Sequence, residues 1–214
     1  MIDPRQDIIS NDELDVLQEI MNIAFGKATA DLADLIDIYV NLSVPNVKII
    51  NTDVLSEYVK EEIKDYKDIG VVEQKFWGQF KGSALLIFPA GAGKQLITLL
   101  TNEEIDTVTS DPIDELEKGT LMEVGNILIG ACVGKIAELL NDVLTYSPPI
   151  VHVGRAPQDA LPKTLIDSYE FTIALNTHFT FEKRDVDGFL FIVTSQESLH
   201  WLKTALNSFL EQYA

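Results

Sequence analysis

The chain repeats itself at a fixed distance, and that repeat restricts its fold more than any other property. Glu19 stands 104 positions before Glu123, and the same interval separates Asn22 from Asn126, Ile23 from Ile127, Gly26 from Gly130, Leu35 from Leu139, Ser43 from Ser147, Pro45 from Pro149 and Val47 from Val151. No gap is needed across the stretch, and self-similarity at a constant period marks two copies of one structural unit.

Each copy opens on a long helix. Ser10 and Glu13 have the spacing of a capping box, and Leu14, Leu17, Met21, Ala24, Ala28, Leu32 and Leu35 then recur every three or four residues. The pattern predicts one amphipathic helix from about Asn11 to Val40. A second helix is expected to start at Asp111-Pro112, an N-cap followed by the imino acid tolerated in a first turn. It continues through Leu121, Gly125, Leu128, Cys132, Ile136 and Leu139.

After the prolines, Val47 to Ile50 and Ile150 to Val153 read as short strands, each followed by a polar excursion, Val54 to Tyr66 and Gln158 to Ser168. Tyr169, Phe171, Ile173, Leu175, Thr177, Phe179 and Phe181 alternate with the period of a half-buried strand, and the first copy offers Val71 to Phe80. A turn containing Gly82 or Gly188 is expected to lead into Ala84 to Phe88 or Phe189 to Val193. Short helices at Lys94 to Leu100 and Ser198 to Leu210 close the copies. The fold class is α/β, more closely α+β. Long helices pack on an antiparallel sheet, because parallel crossovers would need a helix between every pair of strands. The expected organisation is a single domain over 1–214 with pseudo-two-fold repeats at about 10–100 and 111–210, joined by the acidic, polar stretch 101–110.

Composition bounds what such a domain can do. At 214 residues and 46% hydrophobic, the chain suits one large domain or two halves sharing a core. Its 34 acidic against 16 basic residues give a formal charge of −18, which disfavours nucleic acid and anionic membrane as partners. Cys132 is the single cysteine, so no internal disulfide forms, and the start Met-Ile-Asp-Pro-Arg lacks the grammar of a secretory signal. The cytoplasm is the expected compartment. No membrane insertion is expected either, since Lys135 interrupts the most apolar run, Ile127 to Ala137.

At 100° per residue, Asp15, Glu19, Asn22, Gly26 and Ala33 fall opposite the apolar stripe of the first helix. Glu19 and Asn22 are neighbours at i, i+3, and Gly26 one turn on leaves bare backbone. Glu123, Asn126 and Gly130 repeat the arrangement. A solvated helix face is usually just polar, and a recent duplication carries residues along whether or not they are used. Against that, glycine in a helix interior costs about 1 kcal/mol relative to alanine. Two helices that keep Glu, Asn and Gly at matched outward sites are expected to touch something.

The spacing Asp15-x3-Glu19-x2-Asn22-x22-Pro45, followed by Gly119-x3-Glu123-x2-Asn126-x22-Pro149, resembles the twice-occurring signature of the CheC, CheX and FliY phosphatases of bacterial and archaeal chemotaxis. Two copies in a chain of this size resemble the CheC type, whereas CheX usually carries one copy and acts as a dimer. The resemblance implies a CheC-like fold and hydrolysis of the aspartyl phosphate on a response-regulator receiver such as CheY. Asn22 and Asn126 would orient the attacking water, as the glutamine of GTPases does. Glu19 and Glu123 would pair with the receiver's lysine, and Pro45 and Pro149 would be structural. It further implies no cofactor of the chain's own, Mg2+ carried by the receiver, a monomer, and a CheD-like deamidase as a further partner, with Gln158 to Ser168 as the docking counterpart. The family's opening position is usually Asp or Ser; Asp15 matches and Gly119 does not, so the second site is expected to be altered or weaker. The competing reading is a non-catalytic adaptor that holds a receiver or a deamidase on the same helices.

Other motifs carry less. Gly91-Ala92-Gly93-Lys94 lacks the flanking residues of a phosphate-binding loop, since Phe88 and Gln95 occupy those places, and reads as a strand-to-helix turn. His152, His178 and His200 have no metal-ligand spacing, Cys132 falls on the buried stripe, and the acidic cluster from Glu57 to Asp68 reads as a solvated helix face.

Overall fold

A computed structural model describes residues 10–36, 39–66, 68–101, 115–154, 171–182, 186–194 and 196–213. The first helix begins as its sequence dictates. Ser10 N donates to Glu13 Oε2 at 2.8 Å and Glu13 N donates to Ser10 Oγ at 3.2 Å, which closes the capping box. That helix, α1 (Asn11–Ile36), buries Leu17, Ile20, Met21, Ala24, Phe25 and Ala28. It stops short of the expected Val40, which instead opens β1 (Val40–Leu42), buried and paired with Phe181. A β-branched side chain gains more from a packed, pleated surface than from a last helical turn.

The remaining elements are β2 (Asn46–Asn51), α2 (Thr52–Glu62), β3 (Ile69–Trp77), β4 (Gly82–Pro89), α3 (Ala92–Thr101), α4 (Glu115–Leu139), β5 (Thr145–Tyr146), β6 (Ile150–Gly154), β7 (Phe171–Phe181), β8 (Val186–Thr194) and α5 (Gln196–Tyr213). The Asp111-Pro112 start, the stretch 102–110 and the excursion Gln158 to Ser168 lie outside the described residues. Gly91, at φ 83°, makes the strand-to-helix turn into α3.

The described strands form one antiparallel sheet in the order β1-β7-β8-β4-β3-β5, with β2 also on β7 and β6 also on β3. The hairpins β3–β4 and β7–β8 follow from the alternation of their residues. The short strands after the prolines do something the sequence does not announce: β1 and β2 pair with β7, and β5 and β6 pair with β3. Each long helix therefore feeds a strand into the hairpin of the other half, and the order reads alike from both ends. At its centre β4 pairs with β8. Gly82 and Gly188 lie in these two strands, not in the expected turns. A Cβ at Gly82 would run into Val193 O and one at Gly188 into Ile87 O, so the backbones there approach too closely for a side chain.

Helices α1, α3, α4 and α5 share one face of the sheet, over Val72, Phe76, Leu86, Phe88, Leu175, Phe179 and Ile192. On the other face Leu55, Val59 and Ile63 of α2 cover Val71, Leu85, Ile87, Ala174 and Phe191. By length and apolarity α4 could cross a membrane, despite Lys135. Its Leu121, Val124, Leu128, Ile129, Cys132, Val133 and Ile136 are instead buried in this core.

Candidate functional site

Burial of one stripe on each long helix turns the opposite stripe outward. On α1 the residues Asp15, Glu19, Asn22 and Gly26 are exposed; on α4 so are Gly119, Glu123 and Asn126, with Gly130 partly so. Among the described residues a Cβ added at Gly26, Gly119 or Gly130 would meet nothing within 4 Å, so the backbone at all three is open to an approaching surface. Ile23 and Met122, each 36% exposed, give the two faces apolar flanks. Both helices lie on the same side of the sheet, and Lys135 of α4 reaches Asp31 of α1 at 2.9 Å and Glu138 at 2.8 Å. Its hydrogen bonds to Glu138 and Asp31 raise the Lys135 pKa and keep it charged.

Behind each face a serine fastens the strand that follows the helix. Ser43 N donates to His178 O at 2.9 Å and His178 N donates to Ser43 Oγ at 3.0 Å. Ser147 N donates to Lys75 O at 2.9 Å and Lys75 N donates to Ser147 Oγ at 3.1 Å. Ser43 and Ser147 belong to the 104-residue repeat, so Lys75 and His178 are counterparts, and so are the residues before them, Gln74 and Thr177. Pro45, buried, and Pro149 stand between β1 and β2 and between β5 and β6, where they break each edge into two short strands.

The two asparagines differ in their support. Gln74 Nε2 donates to Asn126 Oδ1 at 2.8 Å and to Ser147 O at 3.0 Å. Thr177 Oγ1 donates to Ser43 O at 2.7 Å, and Asn22 has no hydrogen-bond partner among the described residues. Gln74 was not among the residues singled out from sequence. Its mark there is a lone amide on the inward-facing alternation Val72, Gln74, Phe76.

Elsewhere, His152 Nε2 lies 3.2 Å from Glu73 Oε2 and His178 Nε2 lies 3.0 Å from Asp187 Oδ2, each histidine taking one carboxylate; the His200 side chain is outside the described set. Among the described residues no three His, Cys, Asp or Glu side chains converge as metal ligands would. Burial pushes the Cys132 thiol up to about 12, far from a nucleophile's range. The acidic residues Glu57, Glu61, Asp65 and Asp68 are exposed.

Fold and site together define a mixed helix and antiparallel-sheet domain that presents Glu and Asn one helical turn apart on each of two long helices. Residues 13–49 and 116–153 match the model of the CheC-like family, and those two segments contain every residue of both faces and both prolines. The chain is 27% identical over 144 residues to the CheY-P phosphatase CheC of Bacillus subtilis (strain 168), a match spanning 67% of each protein. Its fold is similar to Thermotoga maritima FliY, with a TM-score of 0.66 at 18% identity over 96% of this chain and 99% of that one. It is also similar to a chain of the CheX–CheY–BeF3–Mg2+ complex of Borrelia burgdorferi, with a TM-score of 0.50 at 19% identity over 80% and 96%. Both long helices, with the strands that follow them, are thus similar to the CheC-like family.

Proposed function

We propose that the chain hydrolyses the aspartyl phosphate of a CheY-like receiver, using Glu19 with Asn22 on α1 and Glu123 with Asn126 on α4. The observation that carries this reading is the exposure of both Glu–Asn pairs beside open glycine backbone, on two helices held by one core. The B. subtilis relative is a CheY-P phosphatase, and the B. burgdorferi complex joins a chain of similar fold to CheY. Both support a receiver as the partner. The two faces are read as copies of one unit, over about 10–100 and 111–210, in a cytoplasmic monomer.

The chemistry asks little of the chain beyond geometry. Water attacks phosphorus in line, the bond from phosphorus to the aspartyl oxygen breaks, and the receiver regains its carboxylate while inorganic phosphate leaves as dihydrogen phosphate with both water protons, one of which it then exchanges with solvent. The receiver contributes the Mg2+ that offsets charge on the phosphoryl oxygens. Asn22 or Asn126 contributes a neutral carboxamide, which can hydrogen-bond to the water without repelling the dianion. Glu19 or Glu123, one turn away, pairs with the receiver's lysine and sets the helix at the right depth. Gly26 and Gly130 let the receiver backbone close on the helix.

The test is phosphate release from a phosphorylated receiver at substoichiometric chain. Asn22→Ala with Asn126→Ala should lower turnover by about a hundredfold, the order associated with lost positioning of a reactant, while receiver binding persists. Glu19→Ala with Glu123→Ala should mainly weaken binding. A double asparagine variant as fast as the unaltered chain sinks the assignment. Tight binding of phosphorylated receiver with no turnover by the unaltered chain gives the adaptor reading instead.

A further inference from the structure

The second face carries a support that the first lacks, and we infer that Gln74 is a positioning residue for Asn126, fixing its carboxamide before a partner arrives. The catalytic consequence rests on the phosphatase reading above; the premise rests on geometry. Gln74 is 2% exposed in the middle of β3, between Val72 and Phe76, both of which lie in the core under α1 and α4. Its contact with the Ser147 carbonyl, which can only accept, determines which end of the Gln74 amide is nitrogen. That same nitrogen then requires an acceptor from Asn126. The Asn126 oxygen is therefore turned toward β3, and its NH2 group is left for solvent or a visiting phosphoryl pocket.

The first face cannot copy this device. Thr177, the counterpart of Gln74, satisfies the Ser43 carbonyl as Gln74 satisfies Ser147, but its hydroxyl has one hydrogen and no reach beyond that bond. The helices also sit differently on the sheet. Gly125 lies against Val72, where the counterpart in α1 is the buried Met21, and this close seat brings Asn126 within hydrogen-bond distance of β3.

Gln74 also carries a feature that stability does not explain. Its Oε1 is buried with no hydrogen-bond partner among the described residues, a destabilising arrangement that an apolar side chain of equal length would avoid. What a glutamine supplies here and an apolar residue does not is a donor to the Ser147 carbonyl and to Asn126, and Thr177 shows that a hydroxyl is enough for the carbonyl alone. A carboxamide already held in place loses less rotamer freedom on entering the receiver, so the Asn126 face has an advantage that works against the weakening expected from Gly119.

Gln74→Met keeps length and removes the amide. Two measurements decide the matter. In 15N NMR of the side-chain NH2 groups, the Asn126 signal, identified by its loss in Asn126→Ala, should be motionally restricted in the unaltered chain and loosened by Gln74→Met. The Asn22 signal should be mobile in both. An Asn126 group as mobile as that of Asn22 in the unaltered chain overturns the proposal whatever the activity. In steady-state dephosphorylation, Gln74→Met in an Asn22→Ala background should lower kcat about three- to tenfold at unchanged KM, the order expected for one side chain that must be ordered anew. In an Asn126→Ala background it should leave turnover unchanged, and the melting temperature should change little, because the lost bond to the Ser147 carbonyl is set against removal of the unpaired Oε1. Equal losses in both backgrounds with a lowered melting temperature assign Gln74 to the core and overturn the proposal, as does no loss in either. Failure of the phosphatase reading looks different: the double asparagine variant then matches the unaltered chain, and the NMR comparison still decides whether Gln74 positions Asn126.

Discussion

Gly125 of α4 packs directly against Val72 of β3, with no room between them for a side chain. A Cβ built on Gly125 would stand 2.6 Å from Val72 Cγ1 and 3.0 Å from Val72 Cβ, a branched side chain with no flexible end to swing aside. Gly125→Ala should therefore destabilise the chain. Overpacking of this kind costs about 1–3 kcal/mol, against about 1 kcal/mol gained from helix propensity. Gly119→Ala and Gly130→Ala, on the same helix in open space, should gain that propensity without the clash. Thermal unfolding of the three variants checks the contrast, at about 2–4 °C per kcal/mol for a chain of this size. A Gly125→Ala melting temperature as high as that of Gly130→Ala would show that α4 is not seated against β3 as described.

The capping box gives a pH-dependent prediction. Burial would raise the Glu13 carboxyl pKa, but hydrogen bonds from the Ser10 backbone and hydroxyl, with Lys203 at 3.4 Å, outweigh it and hold Glu13 below its ordinary range. A depressed carboxyl contributes stability above its unfolded value and loses it as pH falls through the folded one. Ser10→Ala should lower stability by about 1 kcal/mol at neutral pH. Glu13→Gln should also destabilise at neutral pH, and its deficit should shrink as the unaltered carboxyl becomes protonated. Urea midpoints at pH 7 and pH 3 test this, and a Glu13→Gln deficit that is unchanged at pH 3 would remove the carboxylate from the account.

The two helices and their outward faces were legible because helical periodicity is local. Leu17, Met21 and Leu128 mark the buried stripe within a few turns, and Glu19, Asn22, Glu123 and Asn126 follow as its complement. The hairpins were legible from alternation for the same reason. The exchange of strands was not, because pairing Val47 with Leu175 or Val72 with Val151 is a choice between two equally apolar edges made far along the chain. Gly82 and Gly188 were misplaced because turn formation and close backbone approach select the same residue. Gln74 escaped notice because its meaning depends on Asn126, 52 residues away, and on a contact made only once α4 is seated.

Cys132 offers a check on the core beneath the second face. Its thiol is fully buried among the apolar residues of α4, and burial raises its pKa to about 12. Only the thiolate attacks a disulfide reagent, so both access and charge state protect it. Labelling by an aromatic disulfide at pH 8 should be negligible in the folded chain and complete in denaturant, with its rate at intermediate denaturant following global unfolding. Rapid labelling under native conditions would mean that α4 opens locally.

The opposite face of the sheet should fail first in alkali, through Tyr66. Its hydroxyl donates to Asp187 Oδ2 at 2.8 Å, the oxygen that also lies 3.0 Å from His178 Nε2. Burial, then the hydrogen bond and negative charge of Asp187, raise the Tyr66 pKa; burial and Glu62 raise that of Tyr58, and burial raises that of Tyr146. A raised phenol favours the fold while protonated. Its contribution is complete below the unfolded tyrosine value of about 10, and it is lost as pH climbs from there through the higher folded value. Absorbance at 295 nm should thus show at least three of the six tyrosines ionising late and together with unfolding, separate from those that titrate reversibly. Tyr66→Phe should cost about 1 kcal/mol at pH 7 through the lost hydrogen bond, and should flatten the decline above pH 10. A single reversible titration of all six near the ordinary value, with the fold intact, would contradict the packing of Tyr66 against Asp187.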